Sequence, residues 1–227
     1  MKRNNEMNIS HLLYKVDDLA EAVQRFRDMG FQVEYGKEKD PYNALIYFMD
    51  HSYIELIENM HITSFLKVLL KLFRMNEYLE SSLEQEKMDE GFFRAAFNME
   101  KKDKALLKKG YREILNCSTF FAPVSRKDIH GNTLKCKCLL PSNAKYPFFN
   151  TNLDGGDIWG IEHPNGINGI KKLVYSATEG EIQFFKGLSI DRRIEIVGGS
   201  RGIDYIEFYC SQSQNSILKY CSGGWIL

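Results

Sequence analysis

The chain has 227 residues, and its 30 Lys plus Arg balance 30 Asp plus Glu. That neutrality excludes the global electrostatic pull by which basic proteins engage nucleic acid or anionic membranes. The length allows one large domain or two small ones, and 44% hydrophobic with 26% charged residues is ordinary for a soluble protein. The most apolar run, Phe65 to Phe73, contains Lys67 and Lys71 and is far shorter than the ~20 residues of a membrane helix. Five cysteines, an odd number, and a polar N-terminus without a signal-peptide core lead to an expectation of free thiols in the cytoplasm.

The first structured stretch, residues 7–58, reads strand, helix, then three strands. Asn8 to Val16 is rich in branched and aromatic residues, as strands are. Asp18 with Glu21 has capping-box spacing, and Leu19, Ala22, Val23, Phe26 and Met29 form an apolar stripe of helical period. Gly30 ends that helix. Phe31–Tyr35, Ala44–Met49 and Tyr53–Glu58 read as strands separated by turn residues.

Residues 62–88 form a helical insert. Its apolar arc, from Phe65 through Leu83, is wider than a simple surface helix needs. Packing over the sheet between modules carries the larger weight; a lid on a cavity and a homodimer contact are the sharper alternatives.

A second module spans 91–152. Phe92–Met99 reads as a strand, and Lys102–Lys109 as a short helix ended by Gly110. Gly110-Tyr111 repeats Gly30-Phe31. Further strands are expected at Glu113–Cys117, Leu134–Leu140 and Tyr146–Phe149, with His130-Gly131-Asn132 as a hairpin turn. Residues 153–168 are a turn-rich connection containing Trp159 and His163-Pro164-Asn165-Gly166. Residues 169–227 read as an abbreviated third copy. It has a strand at Gly169–Tyr175, a capping box at Thr178–Glu181 and strands at Arg193–Val197 and Ile203–Cys210. Gly198–Gly202 is expected to join those last two as a hairpin, since no helix follows it as a phosphate loop would require. The expected fold is therefore α+β, with paired βαβββ modules forming curved, mostly antiparallel sheets and a partial third module.

The first module resembles the βαβββ unit of the vicinal oxygen chelate superfamily, in particular its glyoxalase-like members. The residues that carry the likeness are His11, Val16-Asp17-Asp18-Leu19, Met29-Gly30-Phe31, Asn43-Ala44 and Tyr53-Ile54-Glu55-Leu56, joined by His163-Pro164-Asn165-Gly166. The resemblance implies paired modules around one central site, with first and last strands each aiming a ligand at a divalent metal. His11 and Glu55 stand at the matching places, and Glu207 joins them if modules one and three pair, with Lys171 near the fourth position. Imidazole and carboxylate ligands suit a divalent transition metal with open positions. The plain alternative is a hydrogen-bonded strand histidine beside a solvated carboxylate.

The second module departs from that ligand set. Arg94 stands where His11 stands in the first, and a guanidinium has no lone pair for a metal. It suits a substrate carboxylate or phosphate instead, so Arg94 and Trp159 are the substrate-binding candidates. Glu55 and His163 are the catalytic candidates, Glu162-His163 being a conceivable acid/base pair. Against this, Pro164-Asn165-Gly166 is a good tight turn with His163 held extended before proline. Cys136 and Cys138 share one face of a strand without obvious zinc partners and read as small hydrophobes.

Three functions follow. The leading one is a cytoplasmic glyoxalase-like protein that binds, and as a lyase, isomerase or dioxygenase-like enzyme transforms, a small polar or aromatic molecule. The second is a metal-free binding or sequestration protein for an anionic small molecule. The third is a non-catalytic dimerising interaction protein.

Overall fold

The computed structural model describes residues 6–60, 62–72, 75–127, 131–151, 161–210, 218–221 and 224–226. Module one contains β1 (Ile9–Lys15), α1 (Leu19–Asp28), β2 (Glu34–Tyr35), β3 (Asn43–Tyr47) and β4 (Tyr53–Ile57). The Asp18 side chain accepts the Glu21 backbone N–H at 2.8 Å, so the N-terminal cap forms where the sequence placed it. Leu19, Ala22, Val23 and Phe26 then turn one face of α1 into the core. Burying each large side chain of this kind contributes about 2 kcal/mol.

The insert breaks into two helices, α2 (Ser64–Leu72) and α3 (Asn76–Glu86). Leu70 and Leu79 are buried, whereas Val68 and Leu72 are exposed. Part of the anchoring is polar: Ser81 Oγ accepts the Ala144 N–H at 2.8 Å, and Gln85 Nε2 donates to the Ala144 carbonyl at 3.2 Å. The Tyr78 ring meets Phe120 edge-on at 5.2 Å.

Module two contains β5 (Gly91–Asn98), α4 (Asp103–Glu113), β6 (Thr119–Lys127), β7 (Thr133–Pro141) and β8 (Phe148–Asn150). The β6–β7 hairpin is present, with Lys127 opposite Thr133. Part of its expected turn, residues 128–130, lies outside the described residues. Two expectations are corrected here. The helix does not end at Gly110 but runs through it to Glu113, so the strand expected at Glu113–Cys117 starts only at Thr119. Gly110 is needed for close approach: a Cβ there would sit 2.7 and 2.8 Å from the Phe184 ring. Tyr111 is fully buried, and its hydroxyl donates to the Pro147 carbonyl at 2.5 Å.

Modules one and two join through antiparallel β1 and β5, giving one eight-stranded sheet in the order β2-β3-β4-β1-β5-β8-β7-β6. Its pairings are antiparallel except β1 with β4 and β5 with β8. The C-terminal part forms a second sheet from β9 (Ile167–Ala177), β10 (Ile194–Gly198), β11 (Gly202–Cys210), β12 (Lys219–Cys221) and β13 (Gly224–Ile226), with α5 (Glu179–Lys186) after β9. The capping box at Thr178–Glu181 is formed.

This sheet is not a copy of modules one and two. Its order is β10-β9-β11-β12-β13, with β10 parallel and β11 antiparallel to β9. β10 and β11 therefore flank β9, and Gly198–Gly202 is a crossing over the end of β9, not a hairpin. Gly199 N–H donates to the Ala177 carbonyl at 3.0 Å, and a Cβ at Gly199 would lie 2.3 Å from Ser176 Oγ. A side chain there would have to push the Ser176 hydroxyl aside.

One large core unites α1, α4, α5, the second sheet and one face of the eight-stranded sheet, through residues such as Leu12, Tyr14, Ile54, Phe97, Tyr111, Leu173, Phe184 and Phe208. All of these elements pack on that one face. The opposite face is the one left for a site.

Candidate functional site

Paired residues on neighbouring strands share a sheet face. Leu45, Glu55, Leu13 and Arg94 form one such row across β3, β4, β1 and β5. Tyr47, Tyr53, His11, Ala96 and Phe148 form the next, reaching β8. Alternation along each strand puts both rows on the face opposite the large core. His11, Glu55 and Arg94, three of the residues singled out in the sequence, thus lie on one face of the sheet.

His11 is 5% exposed, and its Nε2 stands 3.7 Å from Glu55 Oε2. Its ring stacks on Tyr53 with centroids 4.4 Å apart and meets Phe148 edge-on at 5.4 Å. Ser10 Oγ lies 3.0 Å from His11 Nδ1. The Glu55 carboxylate accepts Asn43 Nδ2 at 2.7 Å, which holds it in place beside the imidazole. Tyr53 was within reach of sequence reasoning, since it precedes Glu55 by two residues and so shares its face. Asn43 was not, because only the β3–β4 register brings it to Glu55.

Arg94 is 5% exposed, and burial pulls its guanidinium below the usual arginine range, partly offset by the nearby Tyr78 and Tyr111 hydroxyls. Its Nε donates to the Tyr146 carbonyl at 2.8 Å, and its Cζ lies 4.6 Å from the centre of the Phe148 ring. Nη2 is buried and makes no hydrogen bond. Neither Glu55 nor Glu207 forms an ion pair with it among the described contacts. A buried cation with an unmet donor costs several kcal/mol unless something satisfies it.

These residues fit poorly around a divalent metal. Such a centre wants three or four converging donors, and among the described residues no three His, Cys, Asp or Glu side chains converge. His11 and Glu55 supply two, while the second module contributes a buried guanidinium, which repels a cation. Glu207 does not join them. It lies on β11 in the second sheet, across the large core, where its Oε1 accepts Lys171 Nζ at 2.8 Å. The modules that pair edge to edge are one and two.

His163 is 3% exposed with both ring nitrogens engaged: Nδ1 accepts the Gln32 N–H at 2.9 Å, and Nε2 faces the Tyr47 carbonyl at 3.0 Å. These contacts specify the Nε2–H tautomer. Phe31 and Phe48 press on the ring edge-on, and burial lowers its pKa. Asn165 adds to this latch, its Nδ2 donating to the Met29 carbonyl at 3.0 Å and its N–H to the Gly30 carbonyl at 3.2 Å. The His-Pro-Asn-Gly turn therefore ties the end of α1 to the connection, the architectural role weighed above. Trp159 lies outside the described residues.

A search among curated proteins found no match. A solved hypothetical protein from Staphylococcus aureus has a similar structure, with TM-score 0.63 and 16% identity over 96% of this chain and 97% of that one. The Mn(II)-bound glyoxalase from Novosphingobium aromaticivorans aligns with TM-score 0.50 and 13% identity over 91% of this chain. The chain spans 65% of that glyoxalase's length. At such identities the likenesses establish the fold alone, the mixed α+β architecture of curved, mostly antiparallel sheets. The glyoxalase-like domain family matches residues 9–183, more than half of the sequence. From its paired modules and that match, the chain belongs to the glyoxalase-like domain family.

Proposed function

We propose that this protein binds a small anionic molecule, a carboxylate or phosphate, in the space faced by His11, Glu55 and Arg94. The observation that carries the reading is the buried Nη2 of Arg94, a donor with no acceptor, on the same sheet face as the His11–Glu55 pair. An anion oxygen there would satisfy the donor and neutralise the charge together, a charge-assisted bond of about 1.5–3 kcal/mol. The Tyr53–His11 stack and Phe148 supply flat, mostly apolar walls for the rest of the ligand. Glu55 repels a second anionic group, which favours a ligand charged at one end only.

A thermal-shift panel of small carboxylates and phosphates tests this. Ligand at 100 times its Kd stabilises by about 2.7 kcal/mol. Some member of the panel should raise the Tm of the native protein and leave Arg94→Met unmoved, with that variant still folded. An equal response from both proteins to every anion would overturn the proposal. The rival, metal-dependent enzyme reading rests on the 3.7 Å His11–Glu55 contact. It predicts a stoichiometric transition metal in protein purified without chelators, lost in His11→Ala.

A further inference from the structure

Among the described residues three buried side-chain atoms lack a hydrogen-bond partner: Arg94 Nη2, Asn150 Oδ1 and Gln85 Oε1. The first is the donor that carries the anion reading. The second is an acceptor that the anion reading leaves unused. Asn150 is 2% exposed, and its Nδ2 donates to the Thr151 carbonyl at 3.1 Å. That bond fixes which way the amide points, because the reverse orientation would set two acceptor oxygens against each other. Oδ1 is therefore the end that needs a partner, and a buried acceptor without one is costly. Gln85 lies on α3, outside the strand pairings that place the other two.

Register sets Asn150 near Arg94. Ala96 pairs with Phe148 and Asn98 with Asn150 along parallel β5 and β8, so Phe148 and Asn150 point to one face. Cys138, opposite Asn150 on β7, packs with Phe148, Ala96 and Leu13 on that face. The Arg94 guanidinium lies over the Phe148 ring. Asn150 is the next residue after Phe148 on that side, roughly 6.6–6.8 Å further along the strand. Cys138 also feels the charges of both Arg94 and Glu55, which puts its partner Asn150 in their neighbourhood. The unmet donor and the unmet acceptor thus lie within the span of one small molecule.

Resting on the anion reading of Arg94, we infer that the ligand is a hydroxylated anion, a hydroxy acid or a hydroxyalkyl phosphate. Its charged group meets Arg94 Nη2, and its hydroxyl donates to Asn150 Oδ1. The chemistry of the two atoms selects this class. A guanidinium nitrogen only donates and an amide oxygen only accepts, so one molecule must bring an acceptor to the first and a donor to the second. An ammonium would also donate to Oδ1, but close to the Arg94 cation a neutral hydroxyl avoids like-charge repulsion. Asn150 is then a specificity-determining residue. An analogue without the hydroxyl leaves Oδ1 buried and unpaired, and a site built to bond a hydroxyl discriminates steeply against such analogues.

The test is thermal-shift titration with matched pairs: propionate against lactate, benzoate against 3-hydroxybenzoate, and ethyl phosphate against 2-hydroxyethyl phosphate. At least one hydroxylated member should bind the native protein about tenfold more tightly than its partner, the worth of one hydrogen bond to a buried acceptor. In Asn150→Leu, close to Asn in volume and apolar, that preference should vanish while the unhydroxylated member still binds. Asn150→Ala, which adds no bulk, repeats the comparison if Asn150→Leu does not fold. Arg94→Met should lose both members of the pair. Equal affinity within every pair in the native protein, with both members lost in Arg94→Met, would overturn the hydroxyl contact and leave the anion reading standing. No shift with any of the six in the native protein would overturn both. A preference that survives in a folded Asn150 variant would place the hydroxyl elsewhere and overturn the role of Asn150.

Discussion

Replacing Gly110 with Ala separates helix propensity from packing, because the two act in opposite directions at this residue. Gly110 lies inside α4 and is not among the residues with positive φ, so Ala meets no backbone strain there. Propensity alone would then stabilise the helix by about 0.8–1 kcal/mol. The new methyl, however, would stand 2.7 and 2.8 Å from two ring carbons of Phe184. That ring is 2% exposed and has Tyr111 at 4.8 Å and Phe185 at 5.5 Å, so it has little room to withdraw. Overpacking of this kind costs about 1–3 kcal/mol, leaving Gly110→Ala destabilising by roughly 1 kcal/mol on balance. In a Phe184→Leu background the obstruction is gone, and the same change should be neutral or stabilising. Chemical denaturation of the four proteins of this cycle should give a coupling of about 1–3 kcal/mol between the sites. Stabilisation by Gly110→Ala in the otherwise native chain would refute the close-packing account.

Other consequences concern the latch and the buried ion pair that stabilises the second sheet. His163 is buried with its pKa below the ordinary value of 6.5, so the unfolded state binds more protons below that pH. Stability should be full above about pH 6.5 and fall as the pH drops towards the depressed folded pKa, and thermal unfolding from pH 7.5 to 5 should show this slope weakened in His163→Gln. Glu181 is fully buried and accepts Thr178 Oγ1 at 2.7 Å, Tyr175 at 3.1 Å and Arg201 Nε at 2.7 Å. Glu181→Ala should cost about 3–5 kcal/mol, and a loss below 1 kcal/mol in urea unfolding would show the network to be dispensable.

Much of the fold was legible in the sequence because it rests on local rules. The Asp18 cap, the apolar stripe of α1, the Thr178–Glu181 capping box and the alternation of β1 and β4 depend on residues only a few positions apart. Two strand–helix–strand units of similar design were legible as a repeat, and the family resemblance implied that such modules pair. That a guanidinium stands at Arg94, where a metal ligand was expected, was legible too, since it is a statement about residue type.

Tertiary structure decided what depends on distant partners. A glycine before an aromatic residue looks the same at Gly30 and Gly110, yet only the arrival of Phe184 from α5 tells a helix end from a close contact. Strands on either side of a glycine-rich loop look like a hairpin until β9 is found between them. Strand order likewise placed Glu207 across the core from His11, and both nitrogens of His163 on backbone partners. Register set Asn43 against Glu55 and brought Arg94 and Glu55 onto one face, leaving Nη2 of Arg94 buried without an acceptor. Local sequence sets which elements form; which of their side chains meet is set by pairings and crossings between residues far apart in the chain.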